Sequence, residues 1–334
     1  MSALKYKLSS CKTYLIRVIK ANRNYLFRRK KILKYIEKKY AIPEKLYIEC
    51  TNLCNARCGF CYYKTATETM KPLTMSMSNF HKALQDYIDM GGQCLSLTPT
   101  IGDPLMDEFF NERIMAVDVS AIKKIEFYTN LINCDDEVIE TLENIKNIQI
   151  GIYVSIAGFD AESYAKYMGV NQFGKVKKNL QRLSEINNPR LNVTVILRDY
   201  ILSDYHKGQF VSYLDGLGFN YNTQREFDTW GGLVEKDIKS LSELQKMKQS
   251  SINRIGPCAV TYSKPVVTVD MKLKLCECRD VLRETVVGDL NQNTLKDLWE
   301  GENARKFRES MFDYDKWPKT CKKCTSYVSI FELS

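Results

Sequence analysis

Three closely spaced cysteines mark the first place where this chain could do chemistry. Cys54, Cys58 and Cys61 are spaced Cx3Cx2C within the stretch ECTNLCNARCGFCYY at 49–63. Three thiolates at this spacing can hold three corners of a cubane iron–sulfur cluster, and no fourth cysteine follows to close the set. Such a set leaves one iron open to a further ligand. Cys50 lies four residues before Cys54, so a zinc site with four ligands is the alternative.

A second group of cysteines lies towards the C-terminal end. Cys258 and Cys276 are spaced Cx17C, and Cys321 and Cys324 form a Cx2C pair. Four thiolates in two pairs can bind zinc or a complete iron–sulfur cluster, and the ligand type alone does not separate the two. Cys278, two residues after Cys276, is left over.

The composition limits what these cysteines can be. The chain has 334 residues, of which 44% are hydrophobic, enough for one large domain and a smaller one. It has no apolar run long enough to span a membrane and no apolar stretch typical of a signal peptide. We therefore expect a cytoplasmic protein, in which twelve cysteines do not form a disulfide framework.

Positive charge is concentrated in residues 1–40. This segment holds thirteen Lys or Arg and one acid, which leaves residues 41–334 with 36 basic and 39 acidic residues, a net charge of −3. Apolar residues recur at helical spacing among the basic ones: Leu4, Leu8, Cys11, Leu15, Val18 and Ile19. The pattern predicts a basic amphipathic helix that packs on the main domain with a solvated basic face. Peripheral contact with an anionic membrane is the first alternative, and nucleic-acid binding is the less favoured second one.

Alternating β and α patterns must position the first cysteine set. Six β-rich runs are strand candidates: 45–50, 94–99, 124–130, 150–157, 191–198 and 221–227. Segments with helical periodicity lie between them: 78–91, 107–118, 135–145, 173–187 and 203–216. Six β-then-α units predict an α/β fold, a partial (β/α)6 TIM-like barrel, with an open doubly wound sheet as the runner-up. In either fold the chemistry belongs at the C-terminal strand ends, and the first cysteine set begins where the first strand stops.

The pattern changes after residue 227. A glycine turn at 230–234 is followed by a hairpin pattern at 266–276 and by short helices around 294–312. We therefore predict a small cysteine-rich α+β module. The expected organisation is a basic helical segment at 1–40, the partial barrel at 41–227 and the module at 228–334.

The barrel segment resembles the radical S-adenosylmethionine (SAM) superfamily. Cx3Cx2C with the aromatic Phe60 before its last cysteine is similar to the family's signature. PTIGDPLMD at 99–107 resembles the family's Gly-Glu-Pro segment, with aspartate as the acid. YTN at 128–130 and VSIAGFDAESY at 154–164 resemble the stretches at the ends of the third and fourth strands, and VILR at 195–198 ends on a residue similar to a family SAM contact.

The resemblance implies a [4Fe–4S] cluster on the first three cysteines, with SAM on its open iron. Electron transfer from an external reductant of the flavodoxin or ferredoxin type would yield a 5′-deoxyadenosyl radical that abstracts hydrogen from the substrate. The implied SAM-binding residues are Phe60, Gly102, Asp103, Pro104, Thr129, Asn130, Ser155 and Arg198. A non-catalytic iron–sulfur scaffold is the alternative of another class, and the Gly-Asp-Pro and Tyr-Thr-Asn segments argue against it.

The C-terminal segment resembles the SPASM and twitch modules of the same superfamily. VVGDL at 286–290 and LKDLW at 295–299 match the stretch between hairpin and final cysteines, whereas Met271 stands at the family's usual glycine. The resemblance implies one auxiliary [4Fe–4S] cluster in place of a structural zinc ribbon. Its ligands would be Cys258, Cys276, Cys321 and Cys324. The spacing particularly resembles aminocyclitol dehydrogenases, which oxidise a ring alcohol to a ketone.

Three reactions remain open for such an enzyme. We expect oxidation of an alcohol in a small-molecule or glycan-like substrate, carbohydrate or aminocyclitol in type, with the auxiliary cluster as electron acceptor. Asp228 is a candidate base, and capping of the following turn is its alternative role. Epimerisation with Cys278 as a hydrogen donor is the second reaction. Alternatively, Cys278 is a small buried residue or a cluster ligand. Modification of a ribosomal peptide is the third.

Overall fold

The computed structural model describes residues 3–66, 68, 70–198, 204–224, 226–241, 254–277 and 279–333, with side chains from residue 15 onward and, in the helix at 204–216, from residue 207. The strands are β1 (Leu46–Ile48), β2 (Cys94–Ser96), β3 (Lys124–Thr129), β4 (Gln149–Ala157), β5 (Leu191–Arg198), β6 (Asn220–Gln224), β7 (Val266–Val267), β8 (Lys272–Lys274) and β9 (Val286–Asp289). The α-helices are α1 (Ala3–Lys39), α2 (Tyr63–Ala66), α3 (Met77–Asp89), α4 (Phe110–Asp118), α5 (Asp136–Glu143), α6 (Ala161–Met168), α7 (Phe173–Glu185), α8 (Asp204–Gly216), α9 (Glu235–Leu241), α10 (Leu295–Glu300), α11 (Glu302–Ser310) and α12 (Lys319–Lys323).

The strands form one sheet in the order β6-β5-β4-β3-β2-β1-β7-β8-β9. The strands β1 to β6 are parallel and lie side by side in chain order. A doubly wound sheet would reverse its strand order at a switch point, and this sheet does not. The predicted α/β partial barrel is therefore confirmed, and the doubly wound alternative is wrong.

One face of the barrel strands is apolar and buried. In β4, the side chains of Ile150, Ile152, Val154 and Ile156 alternate along the strand, so they share one face, and all four are buried. The covering helices are amphipathic. The helix α3 buries a stripe at helical spacing, and the side chain of Ser76, just before the helix, accepts the N–H of Asn79. Strand burial and helix capping therefore fix where the strands end, and the cysteine loop follows the end of β1.

The C-terminal part continues the barrel's sheet. The strand β7 pairs in parallel with β1, and β7 and β8 form the antiparallel hairpin predicted at 266–276. Met271, in the hairpin turn, has a φ of 65°, so it adopts the left-handed backbone that glycine normally supplies. The boundaries at 40 and 227 stay predictions, and the sheet runs across the second of them.

The helix α1 has its buried side in its second half. Ala21, Ile32 and Ile36 are buried and belong to one apolar cluster with Phe331 near the C-terminal end. The side chains of the first predicted apolar residues lie outside the described residues, and Leu15 and Ile19 are more than half exposed. None of the described helices combines the length and apolar composition needed to cross a membrane.

Candidate functional site

The first cysteine set lies on the loop that follows β1. The thiols of Cys54, Cys58 and Cys61 line one cavity at the C-terminal ends of the parallel strands. The N–H of Ala56 donates to Cys54 Sγ over 3.5 Å, and the N–H of Tyr63 donates to Cys61 Sγ over 3.5 Å. Burial raises the pKa of the Cys54 thiol to about 12. Buried thiols that accept amide hydrogen bonds fit an iron–sulfur cluster, whose binding displaces the thiol protons.

The C-terminal end of α6 supports this loop. The N–H groups of Arg57 and Gly59 donate to the carbonyl oxygens of Met168 and Tyr167 over 3.0 and 3.1 Å. Met168 also lines the cavity, with its Sδ 3.7 Å from Cys58 Sγ. The sequence interpretation missed this methionine because it lies 110 residues from the cysteine it contacts and belongs to no local motif.

The Gly-Asp-Pro segment is tied to the cysteine loop and to the end of β3. The N–H of Asp103 donates to the carbonyl oxygen of Leu53 over 2.7 Å. The Asp103 carboxylate accepts hydrogen bonds from Thr129 Oγ1 over 2.9 Å and from the N–H of Asn130 over 2.6 Å. Burial raises the pKa of Asp103 to about 6. The carboxylate therefore joins the loops after β2 and β3.

The other residues predicted in these two loops take different positions. Gly102 and Asn130 line the cavity, and the Asn130 amide nitrogen lies 2.8 Å from Asn55 Oδ1 and 3.7 Å from Cys54 Sγ. Pro104 is buried at the start of a short 3-10 turn and does not line the cavity that the described residues form. Its role is to shape the loop.

Ser155 and Arg198 meet on the neighbouring strands β4 and β5. The Arg198 Nε donates to Ser155 Oγ over 2.5 Å, and its Nη1 donates to Gln224 Oε1 over 3.1 Å. The guanidinium carbon lies 5.7 Å from the centre of the Phe60 ring, which packs at 5.4 Å against Phe227. The structure thus brings these predicted residues to one wall of the cavity.

A second wall comes from the chain after β6 and from the loop after β8. Asp228, Trp230 and Arg279 line the cavity there. The Arg279 Nε lies 2.8 Å from Asp228 Oδ2, and its guanidinium carbon lies 4.8 Å from the centre of the Trp230 indole. Sequence reasoning missed Trp230 and Arg279 as cavity residues. Arg279 follows the leftover Cys278 directly, which is the one local signal that could have pointed to it.

Asp228 links this wall to the second cysteine set. Its Oδ1 accepts the N–H of Trp230 over 2.7 Å, and its Oδ2 accepts the hydroxyl of Ser326 over 3.0 Å. Burial favours the neutral acid, but Arg279 and the hydrogen bond from the Trp230 N–H outweigh burial, so the pKa of Asp228 lies below its usual value. Asp228 therefore caps the following turn, as its alternative role predicts.

The second cysteine set converges from three separate stretches of the chain. Burial raises the pKa of the Cys258 thiol to about 12, and the neighbouring thiols of Cys276 and Cys324 add to the rise. The pKa of the Cys321 thiol is raised by burial and by all three other thiols. Among the described residues, no three His, Cys, Asp or Glu side chains lie as close together as the ligands of a single metal ion do. The four ligands of an iron–sulfur cluster each bind a different iron, so they lie farther apart. Cys278 lies outside the described residues.

Backbone and arginine contacts hold the Cx2C loop. The N–H of Ser326 donates to Cys324 Sγ over 3.3 Å. The Arg254 guanidinium donates to the carbonyl oxygens of Cys321 and Cys324, the latter over 2.6 Å, and lies 5.3 Å from the centre of the Tyr327 ring. Four converging thiols with such support fit an auxiliary iron–sulfur cluster.

Two family models match the chain. A model described as the radical SAM superfamily matches residues 48–206, and one described as an iron–sulfur cluster-binding domain (SPASM) matches residues 258–325. GTP 3′,8-cyclase of Pasteurella multocida (strain Pm70) is 25% identical over 173 residues, which are 51% of this chain and 49% of that protein. The match therefore spans about half the length of this curated relative.

Solved structures share the fold at low sequence identity. SuiB of Streptococcus suis bound to the precursor peptide SuiA has a TM-score of 0.61 and 15% identity, over 91% of this chain and 74% of that one. BtrN in complex with AdoMet and 2-DOIA has a TM-score of 0.55 and 16% identity, over 84% of this chain and 92% of that one. A radical SAM domain binds SAM and a [4Fe–4S] cluster, and a SPASM domain binds auxiliary clusters. The chain therefore contains a radical SAM domain at residues 48–206 and a C-terminal SPASM domain at residues 258–325.

Proposed function

We propose that this radical SAM enzyme oxidises an alcohol carbon of a carbohydrate- or aminocyclitol-like substrate to a carbonyl. The observation that carries the proposal is the position of Asp228, which lines the SAM cavity and bonds Ser326 beside Cys324. A substrate in the cavity would lie next to the second cysteine set, as a two-electron oxidation with an internal electron acceptor requires.

The residues divide the work between holding the cofactor and holding the substrate. Cys54, Cys58 and Cys61 hold the first cluster, and the residues contributed by β3, β4 and β5 orient SAM. When bound, SAM and its cluster supply a hydrogen-abstracting radical, and the auxiliary cluster supplies an electron acceptor. Burial of Phe60 against Phe227 helps to exclude water from that radical.

The second wall supports a polar substrate. Arg279 and Asp228 form an ion pair at the cavity, which offers N–H donors and a carboxylate. Trp230 adds an apolar face to the same wall. Hydroxyl-rich rings combine polar edges with apolar faces, so they match such a wall. The role of Asp228 as the base that removes the substrate proton stays a prediction. Its ion pair with Arg279 makes it a weaker base.

Peptide modification is the second candidate function. Its support is the likeness of the fold to SuiB, which was crystallised with a precursor peptide. Epimerisation with Cys278 as the hydrogen donor also stays a prediction, as do the external reductant of flavodoxin or ferredoxin type and the cytoplasmic location.

The first experiment tests the cofactor assignment. Reconstituted protein should hold about eight irons, four in each of two clusters, and should cleave SAM to 5′-deoxyadenosine under reducing conditions. Cys58→Ala should lower the iron content to about four and abolish cleavage. Cys50→Ala is the matched control, because Cys50 is buried nearby but does not line the cavity. Cleavage that survives in Cys58→Ala would refute the assignment of the first cysteine set.

The second experiment separates the reactions. Sugars, aminocyclitols and peptides are incubated with the enzyme and SAM in deuterated water, and the products are examined by mass spectrometry and NMR. Oxidation predicts a carbonyl product without deuterium at carbon. Deuterium at an inverted carbon would instead establish the epimerase, and turnover of peptides alone would establish the peptide-modifying enzyme.

A further inference from the structure

The helix α1 presents two different sides to its surroundings. One side packs on the C-terminal end of the chain: Ala21, Ile32 and Ile36 are buried there, and the Asn24 side-chain amide donates to the carbonyl oxygen of Phe331 over 2.9 Å. At about 100° per residue, these positions lie within one third of the helix circumference. The opposite side faces solvent.

That opposite side carries large apolar side chains. Leu26 and Phe27 are 68% and 80% exposed, and about two to three turns earlier Leu15, Ile16 and Ile19 are 57–59% exposed. Single exposed apolar residues are ordinary on protein surfaces, but five along one side of one helix form a stripe. The docking of α1 on the protein does not use them.

The same side is strongly basic. Arg23, Lys30 and Lys34 are exposed between and beyond the apolar residues. No acidic residue occurs at 15–36, and residues 1–40 carry thirteen basic residues against one acid. We call this surface the cationic–apolar face: Leu15, Ile16, Ile19, Arg23, Leu26, Phe27, Lys30 and Lys34.

Charge and chemistry together select one occupant for this face. A second copy of the chain would bring two cationic faces together, which is unfavourable. Nucleic acid would use the cations but leave Leu26 and Phe27 without a partner. An anionic bilayer uses both, because acyl chains accept the apolar side chains while phosphate headgroups attract lysine and arginine.

We propose that the cationic–apolar face binds peripherally to anionic lipid bilayers. The helix lies along the membrane surface with Leu26 and Phe27 at the level of the acyl chains. Its buried side stays on the protein, so this face holds the catalytic part at the membrane surface.

The test uses the reconstituted 334-residue enzyme and vesicle co-sedimentation. Vesicles of phosphatidylcholine with about 30% phosphatidylglycerol should bind the enzyme, and vesicles of phosphatidylcholine alone should bind it at least about tenfold more weakly. The charge variant Arg23→Gln/Lys30→Gln/Lys34→Gln should lose about a hundredfold in affinity for the anionic vesicles. The apolar variant Leu26→Ser/Phe27→Ser should lose about tenfold or more.

Matched controls separate the face from general surface effects. Val119 is 78% exposed on another helix end, so Val119→Ser should leave vesicle binding unchanged. Exposed lysines elsewhere give the charge control Lys123→Gln/Lys146→Gln/Lys296→Gln, which should change affinity by less than about threefold. All variants should cleave SAM as the unaltered enzyme does.

Several outcomes overturn the proposal. It fails if the enzyme ignores anionic vesicles, if phosphatidylcholine alone binds equally well, or if the apolar variant and Val119→Ser behave alike. Self-association lost in the apolar variant, without vesicle binding, would assign the face to a second copy. Binding to polyglutamate without vesicle binding would assign it to an acidic peptide.

Discussion

Asp228 holds its position through three contacts that occupy both carboxylate oxygens. Trp230 N–H binds one oxygen, and the Ser326 hydroxyl and the Arg279 guanidinium bind the other. Because Arg279 and the Trp230 N–H lower the pKa of Asp228, its carboxylate is ionised throughout the neutral range but is a weak proton acceptor. The geometry favours a positioning residue that fixes the wall beside the second cysteine set.

Asp228→Asn tests that role. Asparagine keeps an oxygen for Trp230 N–H but loses the charge that holds Arg279, so we expect substrate turnover to fall by less than about tenfold, with SAM cleavage retained. The pH profile between about 6 and 9 should not change shape, because the Asp228 pKa lies far below that range. A base would behave differently: turnover would fall by about a hundredfold or more while SAM cleavage persisted.

Arg254 should tune the auxiliary cluster. Its guanidinium binds the carbonyl oxygens of Cys321 and Cys324 and places a positive charge beside that loop. Loss of a nearby cation disfavours the reduced cluster, so Arg254→Gln should lower the reduction potential by roughly 50–150 mV. The potential is measured by EPR-monitored redox titration. Arg254→Lys keeps the charge, so its reduction potential should lie between those of the unaltered enzyme and Arg254→Gln. An unchanged potential in Arg254→Gln would contradict the assigned role.

Residues within local motifs could be predicted from the sequence, and residues from distant segments could not. The first three cysteines follow a ligand spacing, and Asp103, Asn130 and Ser155 lie in short segments that resemble those of the radical SAM superfamily, so local sequence pointed to them. Met168 and Arg279 line the same cavity only because folding brings remote segments together, which no spacing rule encodes. Pro104 fits the predicted motif but shapes its loop from outside the cavity.

The junction between α6 and the cysteine loop depends on one glycine. Gly169 ends α6 with a φ of 70°, and a Cβ there would lie 2.3 Å from the carbonyl oxygen of Arg57. That carbonyl belongs to the backbone between Cys54 and Cys58, so it cannot move without displacing these two cysteines. The helix end therefore sets the position of the loop.

Gly169→Ala should weaken the first cluster. The clash and the left-handed backbone should cost about 1–3 kcal/mol in unfolding free energy, and the iron content should fall towards the four irons of the second cluster. Gly174→Ala is the matched control: a Cβ meets nothing within 4 Å there, so we expect unchanged iron and a gain of up to about 1 kcal/mol. Iron analysis and urea unfolding measure both effects. Equal iron content in the two variants would contradict the role of Gly169.

At the scale of elements, periodicity predicted most of the barrel but not its finer divisions. The strands at 124–129 and 191–198 lie close to their predicted ranges because each is rich in β-branched or aromatic residues. The sequence predicts only the start of α6, since the helix is eight residues long and its stop depends on Gly169. At Met271 the side chain is buried in the core, and packing there outweighs the preference for glycine in the turn.

The whole molecule is joined across its sheet by a buried ion pair. Lys274, the last residue of β8, places its Nζ 3.2 Å from Glu49 Oε1 just after β1, and it also donates to Thr100 Oγ1 and to the Asp280 carbonyl oxygen. Lys274 comes two residues before Cys276, and Thr100 lines the same cavity as Cys54, Cys58 and Cys61. The pair therefore fixes the second cysteine set relative to the first.

Lys274→Met should remove that connection. Deleting one partner leaves a buried, unpaired charge, so we expect a loss of about 3–5 kcal/mol in unfolding free energy at neutral pH, measured by urea unfolding. The exposed pair of Lys306 and Glu302 provides the control, and Lys306→Met should cost less than about 1 kcal/mol. A similar loss in both variants would show that burial of the Glu49 pair does not matter.

The pH dependence of this loss identifies its cause. Burial raises the pKa of Glu49, but Lys274 and the Thr100 hydrogen bonds outweigh burial and leave it below its usual value. The stability that the unaltered pair contributes is thus present above the unfolded-state pKa and disappears as pH falls through the lower folded-state pKa. Without Lys274 burial dominates and Glu49 favours its neutral form, so the deficit of Lys274→Met should shrink as pH falls from about 7 to about 4. The double variant Glu49→Gln/Lys274→Met should recover much of the lost unfolding free energy at neutral pH, because it buries no charge. If the loss of Lys274→Met stays constant with pH and the double variant does not recover it, packing alone causes the loss.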